Sequence, residues 1–324
     1  MPMPTIVAPP IDSHIKSLIR LAMEEDLGGG RDGGGAAGGG DKTVELAIPA
    51  GATGAARIVA RRAGIISGGF LIGAILAEYD AALACEIHAA DGTRAGVDAA
   101  VATIRGPVRG ILSVERVLLN FLGHLSGIAT LTGRYVEAVS GVKPAPAICD
   151  TRKTTPGFRT LDKYAVRCGG GVNHRMGLYD GVMLKDNHLA ALRERLGAGL
   201  TLAELTAAIR RELDPGIVLW LEVDTLDQLR EALPMHPHGR GADIILLDNF
   251  SVRDMRTAVA WRNGIGPRTG PRVLLEASGG ITPENVAEVG RTGVDRISIG
   301  ALTHSAPALD LSIELEADAA GGAL

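Results

Sequence analysis

The chain has 324 residues, 46% of them apolar and 22% charged, with a formal net charge of −4, which is typical of a globular enzyme of one or two domains. Only 3% of the residues are aromatic, which argues against the base-stacking surfaces of single-stranded nucleic-acid binders. The N-terminal segment lacks the basic and apolar regions of a secretory signal, and no apolar run approaches the roughly 18 residues of a membrane span. Cys85, Cys149 and Cys168 have no C-x-x-C spacing, so we expect free thiols, no zinc site and a cytoplasmic location.

Residues 1–111 are predicted to form a small α+β domain. Residues 11–27 have apolar side chains at helical spacing, with Asp12 or Ser13 as the N-cap. The Gly-rich stretch 28–40 has no periodic apolar face and is predicted to be a surface loop. The remaining predicted elements of this domain are strands over 55–60, 85–89 and 100–104 and a helix over 69–79.

Residues 112–145 are predicted to be a helical connection. One long helix covers most of it, over 112–140, and Gly123 and Gly127 are two positions at which this helix would break.

From residue 146 the pattern becomes strand, loop and helix in alternation, which predicts parallel βα units over 146–305. The predicted strands cover 147–150, 181–185, 218–223, 243–247, 272–276 and 295–299. The predicted helices cover 161–168, 189–213, 226–233, 252–261, 282–290 and 307–317, the last within a C-terminal segment, 306–324, that would pack back on the N-terminal domain. Polar residues at the carboxyl ends of all six strands favour an α/β barrel over an open sheet, which would gather them at one crossover point.

The segment from residue 143 to 188 is unusually basic, with eight Lys and Arg against four Asp in a chain of negative net charge. Arg152, Arg175 and Lys185 suit carboxylates and phosphates, because Arg offers a planar fork and Lys a compact charge. The Asn-His-Arg context of His174 favours anion contact or proton transfer over a structural role. The segment therefore predicts a pocket for a small polyanion rather than a nucleic-acid surface or a solvated charged face.

Two carboxylates end apolar strands, Glu222 in IVLWLEVD and Asp248 in ADIILLDNF. In a basic pocket they suit Mg²⁺ bound through sugar hydroxyls, phosphates and water, and they would stabilise positive charge on a sugar ring. For Asp248, capping of the following helix is an equally acceptable interpretation.

Glycine turns follow the last two predicted barrel strands. The Ser-Gly-Gly turn 278–280 leads into a predicted helix with Thr282 as its cap and Pro283 as its first residue. Backbone N–H groups of such a turn point at a phosphate, and Gly300 begins a second turn of this kind. Adjacent phosphate-binding loops late in an α/β barrel are a recurrent arrangement.

Eight motifs in this order resemble the quinolinate phosphoribosyltransferase family. They are ERVLLNFLGHLSGIATLT, DTRKTTPGFR, KYAVRCGGGVNHRMGLYD, KDNH, LEVD, LLDNFS, EASGGI and ISIGALTHS. The resemblance is close over residues 112–305 and looser before them. It implies an incomplete α/β barrel preceded by an open-faced α/β sandwich. It also implies a Mg²⁺-dependent homodimer that converts quinolinate and phosphoribosyl pyrophosphate to nicotinate mononucleotide, pyrophosphate and CO₂.

The resemblance also implies a role for each matching residue. The quinolinate carboxylates would be bound by Arg152, His174, Arg175 and Lys185. Arg116 would reach the same pocket from the partner subunit. Lys153 would contact the pyrophosphate, and Glu222 and Asp248 would bind the ribose hydroxyls and the metal. The 5′-phosphate would be bound by Ser278, Gly279, Gly280 and Gly300. The residues expected to be catalytic are Lys153, Lys185, Glu222 and Asp248.

One departure and three alternatives accompany this interpretation. The family's short acidic turn after the first helix is lengthened here by about ten Gly/Ala-rich residues, from Arg31 to Gly40, at little cost in stability. The first alternative is a same-fold enzyme with another acceptor, similar to the pyrophosphorylase-like proteins of molybdate-transport operons. The second is a Schiff-base aldolase that uses Lys185 as its nucleophile. The third is a non-catalytic protein that keeps only the fold.

Overall fold

The structure, a computed structural model, describes residues 6–28, 39–233, 241–265 and 272–316. Most of the predicted Gly-rich loop and the last residues of the predicted C-terminal tail lie outside the described residues. The chain folds into two compact units. The first unit consists of Met1–Gly133, Thr155–Gly170 and Ser305–Leu324. The second unit consists of Arg134–Thr154 and Gly171–His304. Because packing rather than independent folding defines these units, the predicted domain boundaries after residues 111, 145 and 305 stay a prediction.

The elements are numbered in chain order. The helices are α1 Ser13–Leu27, α2 Lys42–Ala47, α3 Ile72–Tyr79, α4 Val108–Val139, α5 Arg159–Cys168, α6 Asp186–Leu196, α7 Leu202–Glu212, α8 Leu226–Ala232, α9 Val252–Gly264, α10 Val286–Gly290 and α11 Ala301–His304. The strands are β1 Thr53–Ala60, β2 Gly64–Ile65, β3 Ala84–Ile87, β4 Arg94–Ala95, β5 Ala100–Pro107, β6 Ala147–Cys149, β7 Gly181–Leu184, β8 Val218–Val223, β9 Ile244–Asp248, β10 Leu274–Ser278, β11 Arg296–Ser298 and β12 Leu311–Leu315.

The first unit is built on an antiparallel sheet of four strands in the order β12-β1-β5-β3. β1 pairs with β5 on one side and β12 on the other, and its Ala56, Ile58 and Ala60 are completely buried. α1 is capped by Asp12, whose carboxylate accepts a hydrogen bond from the Ile15 backbone N–H at 2.9 Å. The predicted first helix and the three predicted strands of this region are confirmed.

The predicted helix over 307–317 is wrong, because β12 occupies this segment. Leu311, Ile313 and Leu315 alternate with polar residues at the period of two that a strand requires. Ile313 lies opposite Ile58 of β1, so pairing with that strand satisfies the backbone groups of the segment.

Helix α4 runs without interruption through Gly123 and Gly127, so neither predicted break occurs. The backbone of residues 307–309 passes closely over both glycines. The Leu309 N–H donates to the Gly123 carbonyl oxygen at 2.8 Å, and a Cβ atom on Gly127 would lie 2.2 Å from the Pro307 carbonyl oxygen. The two glycines therefore allow two backbones to approach and do not end the helix.

By length and apolar composition α4 is also able to cross a membrane, contrary to the expectation that no run approaches a span. Within the described residues, however, 67% of its most apolar window is buried. Ile111, Val114 and Leu118 are completely buried. We therefore interpret α4 as a core helix.

The second unit is built on six parallel strands in the order β6-β11-β10-β9-β8-β7. Each predicted barrel strand is present, and the predicted fold class, an incomplete α/β barrel with an N-terminal open-faced α/β sandwich, is confirmed. The single helix predicted over 189–213 is two helices, α6 and α7. Thr201 is the N-cap of α7, and its hydroxyl and the Glu204 carboxylate form a capping box.

The three cysteines are free thiols. Cys149 and Cys168 are buried, which confirms their interpretation as small core residues, and Cys85 is half-buried. Burial raises the pKa of Cys168 to about 11 and also raises the pKa of Cys85.

Gly127→Ala is expected to lower the free energy of unfolding by about 1–3 kcal/mol, because the new methyl group would press on the Pro307 carbonyl oxygen. The matched control is Gly73→Ala on α3, an exposed helical glycine at which a new Cβ atom would meet no heavy atom within 4 Å. That substitution should raise stability by about 0.5–1 kcal/mol, because alanine favours the helix. Urea unfolding of both variants measures the difference, and a Gly127→Ala protein as stable as the control would contradict the close approach.

Candidate active site

A pocket of about 650 Å³ opens at the carboxyl ends of the parallel strands in the second unit. All of the predicted site residues of that unit line it, namely Arg152, Lys153, His174, Arg175, Lys185, Glu222, Asp248, Ser278, Gly279, Gly280 and Gly300. The remaining one, Arg116, is exposed on α4 in the first unit. The chain thus gathers in one place groups that are far apart in sequence.

Parallel pairing is what brings these side chains to a common edge. Asp248, the last residue of β9, lies opposite Ser278, the last residue of β10. Glu222 lies on the neighbouring strand, β8, opposite Leu246. Because adjacent strands are about 4.8 Å apart, residues at matching positions of successive strands face a shared space.

Lys185 and Glu222 form an ion pair across the pocket wall. Lys185 Nζ lies 2.5 Å from Glu222 Oε2, and the two side chains are 42% and 18% exposed. The Lys185 backbone N–H donates to His188 Nδ1 at 3.1 Å, which fixes the start of α6. The pair holds a basic group in place until an anion enters, without leaving either charge unbalanced.

Arg175 is a second half-buried cation of the pocket. Its Nη1 donates to the Gly181 carbonyl oxygen at 2.8 Å. Burial lowers the pKa of its guanidinium, and the nearby charge of Arg152 lowers it further. Both effects disfavour the charged form of Arg175, and the nearby negative charge of Asp180 opposes them in part.

His174 is nearly buried at the base of the pocket, with 5% of its side chain exposed. Its ring stacks on Trp220 with 4.5 Å between centroids. Nδ1 accepts a hydrogen bond from the Arg175 backbone N–H at 2.8 Å, and Nε2 lies 3.5 Å from Glu276 Oε1. Both ring nitrogens therefore face protein atoms.

The glycine turn after β10 has the left-handed backbone that this position requires. Gly279 has φ 87°, and a Cβ atom there would lie 2.0 Å from Asn249 Oδ1. Gly280 has φ 62°, and its carbonyl oxygen accepts from Asn285 Nδ2 at 2.8 Å. Only glycine fits such a turn without strain, which leaves its backbone open toward the pocket.

The helix after this turn begins later than predicted. α10 starts at Val286 and is five residues long, so Thr282 is not its cap and Pro283 is not its first residue. The Thr282 N–H instead donates to Asn285 Oδ1 at 2.9 Å within a turn. The predicted phosphate site of this segment would therefore depend on the glycine turn itself and not on a long helix.

Sequence reasoning assigned no role to several polar residues that line or brace the pocket. Asn249 adopts φ 53° and donates to Asp248 Oδ2 at 2.8 Å, while Asn285 braces Gly280. His304 also lines the pocket. A Cβ atom on Gly300 would lie 3.2 Å from His304 Nε2 and 2.9 Å from Lys153 Cδ, so both side chains pack against this glycine. His304 follows the predicted glycine turn at Gly300 by four residues, and this closeness in sequence to a predicted site residue is the one signal that could have identified it.

Fold and pocket together define an α/β-barrel enzyme whose site suits small molecules that carry phosphates and carboxylates. The chain belongs to the quinolinate phosphoribosyl transferase family, whose N-terminal domain model matches residues 41–126 and whose C-terminal domain model matches residues 128–314. The resemblance found in the sequence is confirmed.

Individual relatives agree over nearly the whole chain. A carboxylating nicotinate-nucleotide pyrophosphorylase from Mycobacterium leprae is 40% identical over 302 residues, which cover 93% of this chain and 96% of the relative. A probable enzyme of the same name from Bacillus subtilis is 37% identical, with 93% of each chain covered. The solved nicotinate-nucleotide pyrophosphorylase from Francisella tularensis is 34% identical and superposes with a TM-score of 0.80, covering 97% of this chain and 99% of that one.

Proposed function

We propose that this protein is a quinolinate phosphoribosyltransferase of NAD biosynthesis. It would transfer phosphoribose from phosphoribosyl pyrophosphate to quinolinate and form nicotinate mononucleotide, pyrophosphate and CO₂. The observation that carries the proposal is a single pocket that joins a cluster of cations to a glycine turn, with two carboxylates between them. The names of the relatives from Mycobacterium leprae and Bacillus subtilis agree with this reaction.

The cations would hold the two carboxylates of quinolinate. Arg175 and Arg152 are close enough to influence each other electrostatically, and a dianion between them would neutralise both. Lys185 would exchange its partner Glu222 for a substrate carboxylate. The glycine turn of Gly279 would hold the 5′-phosphate by backbone N–H groups.

Mg²⁺ is part of the proposal. Among the described residues, three or more His, Cys, Asp or Glu side chains do not gather into a site that would enclose a metal. The two pocket carboxylates, Glu222 and Asp248, nevertheless fit Mg²⁺, which commonly takes one or two carboxylates together with substrate phosphates and water. Bound there, Mg²⁺ would neutralise charge on the leaving pyrophosphate.

The residues of the pocket fit the electron flow of the reaction. The bond between ribose C1 and the pyrophosphate oxygen breaks with its electrons on oxygen, and Lys153 would stabilise the charge that pyrophosphate gains. Positive charge develops on the ribose ring, beside the carboxylates of Glu222 and Asp248. The pyridine nitrogen supplies the electron pair of the new bond to C1.

Decarboxylation follows from the charge on the new pyridinium ring. The carboxylate next to the ring nitrogen leaves as CO₂, its bonding electrons remain on the ring carbon, and that carbon takes a proton from solvent. Substrate positioning, rather than a protein nucleophile, supplies most of the rate. We therefore expect no covalent enzyme intermediate, and a ribosylated side chain found by mass spectrometry would contradict this mechanism.

The alternatives are less well supported. A Schiff-base aldolase needs a lysine amine that is free to attack a carbonyl group, whereas Lys185 Nζ donates to Glu222 Oε2 at 2.5 Å. A diacid acceptor accounts for the pair of Arg152 and Arg175, because each can bind a carboxylate. A same-fold enzyme with an acceptor that lacks a second carboxylate would not need both arginines. The cytoplasmic location stays part of the proposal and is supported by three free thiols.

The test of the proposed function is quinolinate-dependent formation of nicotinate mononucleotide from phosphoribosyl pyrophosphate and Mg²⁺. Arg175→Ala should lower kcat/KM by about two orders of magnitude, because a charged contact to the substrate is lost. Arg211→Ala, which removes an exposed arginine on α7, is the matched control and should leave the rate unchanged. A wild-type protein that turns over nicotinic acid but not quinolinate would overturn the proposal.

We also propose a homodimer with a shared site, in which Arg116 of one subunit completes the pocket of the other. Arg116 is exposed and lies outside the residues that line the described pocket. Leu178 and Tyr179, between Arg175 and β7, are 71% and 82% exposed. A second copy of the chain would cover this apolar surface beside the pocket.

Arg116→Ala and Arg175→Ala subunits should each be nearly inactive alone and should complement each other when mixed. In a shared-site dimer the mixed pairs contain one site with both arginines intact, so random exchange should restore about a quarter of the wild-type activity. Activity after dissociation and reassembly of the two variants measures this recovery. A mixture as inactive as its components would show that the two arginines act within one subunit.

A further inference from the structure

A buried carboxylate beneath the pocket has one oxygen without a hydrogen bond. Glu276 lies on β10, two residues before Ser278 and on the same face of the strand, and it is completely buried. Its Oε2 accepts a hydrogen bond at 2.7 Å from Nε of Arg296, the residue that faces it on β11. Its Oε1 has no hydrogen-bond partner among the described residues. Because an unpaired buried acceptor is costly, this atom needs an explanation.

The polar atom opposite this oxygen is Nε2 of His174, at 3.5 Å. That separation is longer than a normal hydrogen bond, yet short enough to close by a small shift. Nδ1 of the same ring already accepts the Arg175 backbone N–H at 2.8 Å. A neutral imidazole carries one proton, and because Nδ1 is an acceptor that proton lies on Nε2, facing Glu276.

The two ends of Arg175 are therefore held by different groups. Its backbone N–H is fixed by His174 Nδ1, and its guanidinium is fixed by the Gly181 carbonyl oxygen at 2.8 Å. The stack of His174 on Trp220 keeps the imidazole in its plane. A shift of the imidazole would move the backbone of Arg175, and planar recognition of a carboxylate tolerates little displacement.

We infer that Glu276 is a positioning residue for the acceptor acid. Its Oε1 accepts a hydrogen bond from the Nε2 proton of His174, which fixes the imidazole tautomer in which Nδ1 accepts the Arg175 backbone N–H. Glu276 thereby sets the position of the Arg175 guanidinium that binds the incoming carboxylate. The inference rests on the proposed function. It gives His174, which lines the pocket, a second role through Arg175 beside the carboxylate contact that the family resemblance implied.

The wild-type protein tests the first step without any substitution. In nitrogen-15 NMR of the histidine side chains, with a His174→Gln protein to assign the resonances, His174 should be the neutral form protonated at Nε2. A proton on Nδ1 would overturn the inference, and this result does not depend on which acid the enzyme uses.

Glu276→Gln tests the second step. A glutamine amide has one acceptor oxygen, whereas Arg296 Nε–H and His174 Nε2–H both donate, so either orientation of the amide leaves one donor facing another. The expected result is a rise of about tenfold in KM for quinolinate, with KM for phosphoribosyl pyrophosphate unchanged within about twofold.

The matched control is Asp295→Asn, at the opposite, amino end of β11. Asp295 pairs with Arg262, which is 2% exposed, and with Arg272 at 2.6 Å. The substitution weakens a buried ion pair of the same barrel without touching the pocket. It should lower the melting temperature and leave both KM values unchanged.

The possible outcomes separate the two proposals. Loss of quinolinate affinity in Glu276→Gln but not in Asp295→Asn supports the positioning role. A wild-type KM for quinolinate in Glu276→Gln, or an equal change of both KM values in both variants, overturns it. If the wild-type protein shows no turnover of quinolinate, the proposed function fails, while the tautomer of His174 still decides the first step.

Discussion

The parallel register of the six barrel strands is the constraint on which the site depends. Asp248 lies opposite Ser278 and Glu276 lies opposite Arg296 because β9, β10 and β11 run side by side in the same direction. A shift of one residue in any of these strands would turn its polar side chains to the other face. The local sequence supplies the chemical groups, and the register decides which of them share a pocket.

Within that frame, carboxylates pair with cations in the pocket and beneath it before a substrate arrives. Lys185 is paired with Glu222 at the pocket wall, and Arg296 is paired with Glu276 beneath it. Arg175 differs, because burial and the charge of Arg152 lower the pKa of its guanidinium. An incoming dianion would offset both effects, and hydrogen bonds from the Arg175 backbone and guanidinium to neighbouring residues hold this side chain in place.

The parts of the fold that depend on local pattern could be predicted from the sequence. The alternation of apolar strands and helices indicated the barrel, and polar residues just past the strand ends identified Glu222 and Asp248. Segments whose structure depends on a distant partner could not be predicted in this way. β12 is a strand because it pairs with β1, and Gly127 lies in an unbroken helix because Pro307 crosses it.

The same division applies to the candidate site. The basic segment and the glycine turns identified the pocket-lining residues, since those residue types have few other uses at a strand end. Glu276 escaped notice because a glutamate within an apolar strand has no visible partner in the sequence, and its contact with His174 exists only after folding. Asn249 adopts a left-handed backbone, which asparagine tolerates better than most residues, but the hydrogen bond from its N–H to the Ser278 carbonyl oxygen likewise exists only after folding.

The central claim is that one pocket joins phosphoribose to a diacid and releases the carboxylate next to the ring nitrogen. Quinolinate labelled with carbon-13 in that carboxylate, given with phosphoribosyl pyrophosphate and Mg²⁺, tests it most directly. We expect labelled CO₂, pyrophosphate and unlabelled nicotinate mononucleotide in equal amounts. Label retained in the nucleotide, or no nucleotide at all, would contradict the claim.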